Sequence, residues 1–124
     1  MEDILDILIK SEKRKLPEKE IKLKRLSKEI GKDIIFKIKA LPFDEVADIT
    51  SMSDNMRVQI VLSGVINPNL KSTALMDKYG VPTPEDVVKK MFLAGEIDDI
   101  SREIEKLSGY RESTVETLAE VKKK

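Results

Sequence analysis

Cysteine, histidine and tryptophan are absent from this sequence of 124 residues. Without cysteine there is no thiol nucleophile or thiolate ligand, and without histidine there is no imidazole for acid–base catalysis or for a zinc site. No apolar run approaches the roughly 20 residues that a membrane-spanning helix needs. The acidic start, Met1-Glu2-Asp3, is the opposite of the basic beginning of a signal peptide. We therefore expect a soluble cytosolic protein, of a single domain over residues 1–124, that needs no cofactor or metal and is not an enzyme.

Charge is balanced overall but unevenly distributed along the chain. From Lys10 to Lys39 there are twelve lysines and arginines against five acidic residues, whereas residues 40–124 carry eleven against fifteen. The molecule is therefore predicted to have a basic part and an acidic part. We expect these parts to attract each other between copies of the chain, in a head-to-tail contact that produces rings or filaments.

The first 41 residues favour a small amount of β-structure. Residues 1–19 are predicted to form a short helix and a charged connector. In residues 20–41 the apolar period changes towards two, which predicts an antiparallel hairpin with strands near 21–26 and 34–40 and a turn over 27–33. The second strand places four residues on one covered face: Ile34, Phe36, Ile38 and Ala40. A competing interpretation makes residues 18–30 a helix that ends at Gly31.

Residues 42–66 are predicted to form two helices. Pro42 fits the first turn of a helix that directs Val46, Ala47 and Ile49 inward. The most apolar part of the chain, Met56 to Ile66, is assigned to a central helix. Gly64 lies within that helix and costs stability there, so it indicates a close approach between two helices.

The segment from residue 67 to 110 is punctuated as three further helices. Ser72 and Thr83 are N-cap residues, and Gly80, Gly95 and Gly109 are read as stop signals. Apolar residues recur on one face of each helix: Leu75, Met76 and Tyr79; then Val87, Val88, Met91 and Phe92; then Ile97, Ile100, Ile104 and Leu107. A last helix is predicted from Ser113. The fold class is therefore mainly α with a small β-hairpin, an α+β protein in which the hairpin precedes a compact bundle of about five short helices over residues 42–124.

Two sets of charged residues are candidate sites. Glu96, Asp98 and Asp99 form the densest group of carboxylates, but neighbouring helix positions point apart and no calcium-loop spacing is present, so a solvated helix face is favoured over a metal site. Four lysines could line one strand face and contact phosphates: Lys22, Lys24, Lys37 and Lys39. Because no aromatic residue interleaves with them, a solvated or protein-binding face is favoured over nucleic-acid binding.

The order and spacing of four short segments resemble the XkdN-like phage tail assembly chaperone family. These segments are Asn67-Pro68-Asn69-Leu70-Lys71, Leu75 with Tyr79-Gly80, Ala94-Gly95-Glu96-Ile97, and Leu107-Ser108-Gly109-Tyr110. Upstream, Phe36-Lys37-Ile38-Lys39-Ala40-Leu41 is similar to the segment that precedes the family's helical part. The resemblance covers roughly residues 20 to 124.

The resemblance implies a non-enzymatic protein that acts in the host bacterial cytoplasm before the virion is finished. The resemblance further implies that the protein binds the tape-measure protein, helps tail tube subunits assemble around it, and is lost from the mature tail. The candidate residues for contact with such a client are Leu70, Tyr79, Met91 and Phe92, and packing in the core is the alternative interpretation for each. Two alternatives remain: a nucleic-acid-binding regulator that uses residues 10–39, and a structural adaptor of the finished tail.

Overall fold

The computed structural model describes residues 3–51, 55–111 and 113–118. Within them, a three-stranded antiparallel sheet packs against a group of helices. In chain order the elements are α1 (Ile4–Lys10), β1 (Glu18–Lys22), α2 (Lys24–Ile30), β2 (Ile35–Lys39), α3 (Phe43–Ser51), α4 (Met56–Gly64), β3 (Val65–Asn67), α5 (Thr73–Tyr79), α6 (Pro84–Met91) and α7 (Ala94–Leu107). The predicted α+β class is confirmed, and five short helices follow the two hairpin strands.

The hairpin differs from its prediction in the first strand and in the connection. β1 and β2 are antiparallel, with Glu18 opposite Lys39 and Lys22 opposite Ile35. The predicted turn over residues 27–33 contains most of α2, which ends at Gly31 with a φ of 83°. The strand predicted at 21–26 was therefore placed too late, and the competing helix was right only for its second half. In this stretch the same apolar residues fit both the alternating period of a strand and the period of a helix. Neither pattern alone therefore locates the boundary between β1 and α2.

The inward face of the sheet was predicted correctly. Phe36, Ile38 and Ala40 are buried on β2 and just after it, and Ile34 is half-buried. Because side chains alternate along a strand, Lys37 and Lys39 lie on the outer face. The inner face packs on the helical layer, whose centre is the contact between α4 and α7.

The predicted central helix of residues 56–66 is too long by two residues. α4 ends at Gly64, and Val65–Asn67 form β3, which pairs with the free side of β2. The strand order is therefore β1-β2-β3. Two β-branched residues, Val65 and Ile66, followed by an Asn that precedes a proline, favour extended backbone over helix. The backbone N–H and C=O groups on the free side of β2 pair with β3. A sequence pattern alone does not reveal that pairing.

The predicted caps of α5 and α6 are confirmed. The Ser72 hydroxyl accepts a hydrogen bond from the Ala74 N–H, and the Thr83 hydroxyl accepts one from the Asp86 N–H. Gly80 ends α5 with a φ of 64°. Gly95, however, was wrongly read as a stop signal, since it lies in the first turn of α7.

The break between α6 and α7 falls at Phe92 and Leu93, which have extended backbone. Glu96 explains this position, because its carboxylate accepts a hydrogen bond from the Leu93 N–H at 2.7 Å and so completes the start of α7.

Both ends of the described chain lie outside the core. α1 forms as predicted, with Asp3 accepting from the Asp6 N–H, but none of its residues is buried. On α3, Ile49 is buried as predicted, whereas Ala47 is exposed, so its predicted inward direction is wrong. Residues 113–117 have no regular secondary structure, so the last helix does not begin at Ser113; the rest of that prediction lies outside the described residues.

Candidate interaction surfaces

The four lysines predicted as a basic surface are interrupted by carboxylates. Lys22, Lys37 and Lys39 project from the outer face of the sheet, whereas Lys24 lies on α2. Lys22 Nζ lies 3.0 Å from an Asp33 carboxylate oxygen.

Acidic residues of β1 stand directly opposite the lysines of β2 on that outer face. Glu20 faces Lys37, and Glu18 faces Lys39. Lys37 Nζ also lies 3.1 Å from Glu18 Oε1, on the same face. The positive and negative charges therefore alternate across the sheet, and they do not form the continuous positive track that phosphate binding uses.

The four predicted client-binding residues divide into two pairs. Leu70 and Phe92 are buried in the core. Phe92 packs edge-on against Phe36, with ring centroids 5.8 Å apart and an interplanar angle of 77°. Tyr79 and Met91 are half-buried and reach the surface. A partner can therefore contact Tyr79 and Met91 directly, whereas Leu70 and Phe92 pack within the core.

Tyr79 and Met91 line an open apolar groove of about 550 Å³, here called the α2–α5 groove. Phe36 is also among the residues that line it. One side is formed by α2, where Ile30 leaves 58% of its surface exposed. The apolar residues that line the groove are Leu26, Ile30, Ile34, Phe36, Pro68, Ala74, Leu75, Tyr79 and Met91. Lys78 also lines it, with Nζ 5.9 Å from the centroid of the Tyr79 ring.

A second apolar groove, of about 250 Å³, lies between α3, α4 and α7 and is here called the α3–α7 groove. Its apolar lining consists of Leu41, Val46, Ile49, Met56, Ile60, Ile104 and Tyr110. Apolar spacing in the sequence does not reveal this surface. Met56 and Ile60 are one helical turn apart, which is a signal for a shared face, but the polar and apolar residues of α4 are not segregated to opposite sides, so its sequence does not show which face stays open.

Arg25 connects the margin of the α2–α5 groove to the start of α7. Its guanidinium donates to both carboxylate oxygens of Glu96, at 2.9 to 3.2 Å, and to the backbone carbonyl of Met91 at 2.9 Å. A further hydrogen bond of 2.9 Å joins Arg25 to Glu29, one turn along α2. Paired hydrogen bonds between a guanidinium and a carboxylate form a fork, and this fork holds α2 and α7 in one relative orientation.

The same contacts determine the protonation of Glu96. Partial burial acts to raise the pKa of its carboxyl, but the hydrogen bonds from Arg25 and from the Leu93 N–H, together with the charge of Arg25, outweigh it and lower the pKa below its usual value. Glu96 is thus ionised at neutral pH and keeps the fork intact.

The carboxylates of α7 pair with separate cations. Asp98 lies 2.8 Å from Arg57, and Asp99 lies 3.7 Å from Arg102. Within residues 3–51, 55–111 and 113–118, no cluster of three or more acidic residues has the arrangement of a metal site. In the same part of the chain, no helix combines the length and apolar content of a membrane-spanning segment.

The fold and its surfaces define a small α+β protein with two open apolar grooves and paired surface charges. A family model described as "Phage XkdN-like tail assembly chaperone protein, TAC" matches residues 51–122, which is more than half of the chain. This chain belongs to the XkdN-like phage tail assembly chaperone family, as the resemblance predicted.

A solved structure supports the fold independently. The crystal structure of the protein YqbN superimposes with a TM-score of 0.69 at 19% sequence identity, covering 89% of this chain and 98% of that one. At this identity the likeness concerns the fold alone. No curated protein matches the chain.

Proposed function

We propose that this chain binds the tape-measure protein during tail assembly in the host cytoplasm and is absent from the finished virion. In this proposal an apolar face of a helical client segment occupies the α2–α5 groove until tail tube subunits assemble around it. The client then leaves the groove, and the chaperone is released.

The observation that carries the proposal is the open apolar lining of the α2–α5 groove. Ile30 is more than half exposed, and Leu75, Tyr79 and Met91 are only half-buried beside it. Leaving such surface in water forgoes about 25 cal/mol per Å² of burial. A contiguous apolar groove is therefore typical of a surface that a partner covers.

The shape of the groove fits one recognition mode. A groove that runs between helices accepts an amphipathic helix through side chains spaced three or four residues apart. The groove is held by a rigid frame, since Arg25 ties α2 to Glu96 and to the end of α6. Phe36, which lines the groove, packs edge-on against the buried ring of Phe92. A preformed groove loses little conformational entropy on binding.

Co-expression with the tape-measure protein of the same tail module tests the proposal. The unmodified chain should increase the soluble fraction of the client and co-purify with it. Ile30→Lys, which puts a charge in the groove at an already exposed position near the end of α2, should reduce capture at least about tenfold. Ile66→Lys is the matched control, because Ile66 is also exposed but does not line the groove.

Equal capture by the Ile30→Lys variant and the unmodified chain would contradict use of this groove. Failure of the unmodified chain to retain any client would contradict the proposed client itself. Mass spectrometry of purified virions addresses the last part of the proposal: the chaperone should be absent, whereas a stoichiometric amount would identify a structural adaptor.

A further inference from the structure

α1 is a largely apolar helix that buries none of its residues against the described part of its own chain. Five of its seven residues are aliphatic, namely Ile4, Leu5, Ile7, Leu8 and Ile9. Each of these side chains leaves between 52% and 75% of its surface exposed. At 100° per residue they span an arc of about 200°, and Asp6 and Lys10 occupy the remainder. So wide an apolar arc is typical of a helix that inserts into a groove.

The α3–α7 groove has the properties that such a helix requires. Its lining is largely aliphatic, with Val46, Ile49 and Ile60 from two neighbouring helices. Its volume of about 250 Å³ accommodates side chains but not a whole helix of about 10 Å diameter. A helix that lies along the groove would therefore insert a few side chains, such as Leu5 and Leu8.

The charge beside the α3–α7 groove is opposite in sign to the charge of the connector that follows α1. α3 carries Asp44, Glu45 and Asp48 and no basic residue. Glu45 directly precedes Val46 in the groove, and its Oε2 is buried without a hydrogen-bond partner among the described residues. The connector that follows α1 carries three consecutive cations, Lys13-Arg14-Lys15. A docked α1 would bring this basic connector to the acidic helix.

From these observations we propose that α1 of one copy of the chain inserts into the α3–α7 groove of a second copy. Among the described residues of one copy, α1 buries none of its side chains and the groove is open, so both halves of the contact are available to a neighbour. The inference does not depend on the tape-measure protein, which is assigned to the other groove.

The small size of the contact predicts a weak and reversible association. A seven-residue helix in one groove buries less than the roughly 1,200 Å² that stable interfaces begin at. Copies would then assemble at high local concentration and separate on dilution. Association should also weaken several-fold between about 50 mM and about 500 mM salt, because the connector and α3 are exposed to solvent.

Sedimentation velocity over a range of concentrations measures the association. The double variant Leu5→Ala, Leu8→Ala keeps a good helix former at both positions but removes the apolar side chains, so the dissociation constant should rise at least about tenfold. Asp6→Ala changes the polar side of the same helix and should leave the dissociation constant unchanged. A monomer at every concentration, or equal association by the double variant, would overturn the proposal.

The absence of native cysteine permits a direct test of the partner. A chain with Leu8→Cys, mixed under oxidising conditions with one carrying Met56→Cys, should form a disulfide-linked heterodimer. Ile66→Cys is the control for Met56→Cys, because both native side chains are 40% exposed. The proposal is wrong if the Ile66 variant cross-links equally well. It is also wrong if a chain carrying both Leu8→Cys and Met56→Cys closes only on itself.

Discussion

Gly64 of α4 lies against Ile104 of α7 with no room for a side chain between them. A Cβ atom added at Gly64 would lie 2.5 Å from Cδ1, 2.7 Å from Cγ2 and 2.8 Å from Cγ1 of Ile104. Three atoms of one fully buried side chain are involved, so rotation of its tip does not relieve the contact. The glycine is therefore required by the close approach of the two helices, as the sequence indicated.

Gly64→Ala should lower the free energy of unfolding by about 1–3 kcal/mol, because overpacking outweighs the better helix propensity of alanine. Chemical denaturation measures the loss. Ile104→Val alone should cost about 0.5–1.5 kcal/mol, and the double variant should be less destabilised than the sum, since the shorter side chain gives space to the new methyl group. Strict additivity of the two losses would contradict the contact.

Phe92→Ala should lower the free energy of unfolding by about 3–5 kcal/mol, because Phe92 is buried and its ring packs edge-on against Phe36. Thermal and chemical unfolding measure the change. Phe43→Ala is the control, since the Phe43 side chain is 78% exposed and should cost little. A small loss at Phe92 together with loss of client capture would instead favour its direct role in binding.

Glu96→Gln should make the pH dependence of stability flatter in acid. The folded pKa of Glu96 lies below the ordinary value of 4.5 for this carboxyl, so its charge stabilises the fold above that pH, and this contribution is lost as the pH falls through the folded pKa. The difference in unfolding midpoint between the unmodified chain and the variant should be largest above about pH 5 and shrink towards pH 3. A difference that is constant over this range would show that charge on Glu96 is not involved.

Ser27→Ala should destabilise the protein through the connection between α2 and β2. The buried Ser27 hydroxyl accepts a hydrogen bond of 2.8 Å from the Ile34 N–H. Its loss leaves a partly buried backbone donor without a partner, which costs about 1–3 kcal/mol. Chemical denaturation of Ser27→Ala and of the exposed control Ser113→Ala measures the effect. If both variants unfold at the same denaturant concentration, the hydrogen bond does not stabilise this connection.

Local signals in the sequence predicted what local chemistry determines. Ser72 and Thr83 cap their helices through hydrogen bonds to residues two or three positions further along the chain. Phe36 and Ile38 lie on the same face of a strand because side chains alternate along it. Non-local partners decided the rest. Val65 joins a strand because β2 offers an unpaired side, and the start of α7 depends on Glu96, which also binds Arg25 from a distant helix.

The candidate site was predicted in part for the same reason. Helical spacing places Tyr79, Met91 and Phe92 on apolar faces, but it does not distinguish a face that meets another helix from one that stays open. Phe92 meets Phe36, whereas Tyr79 and Met91 lie at the margin of a groove that exists only after α2 has packed nearby. The α3–α7 groove likewise depends on the mutual placement of three helices.

The two tyrosines of the chain provide a matched pair of variants that separates the two grooves. Tyr79 lines the α2–α5 groove, and Tyr110 lines the α3–α7 groove. Both side chains reach the surface, so alanine at either position should cost less than the several kcal/mol expected at a buried aromatic residue. Tyr79→Ala should reduce capture of the tape-measure protein about tenfold and leave self-association unchanged, whereas Tyr110→Ala should weaken self-association and leave capture unchanged. Co-purification and sedimentation velocity on the same two preparations measure both properties.

If either variant impairs both properties equally while remaining folded, client binding and self-association share a surface, and their assignment to separate grooves is wrong.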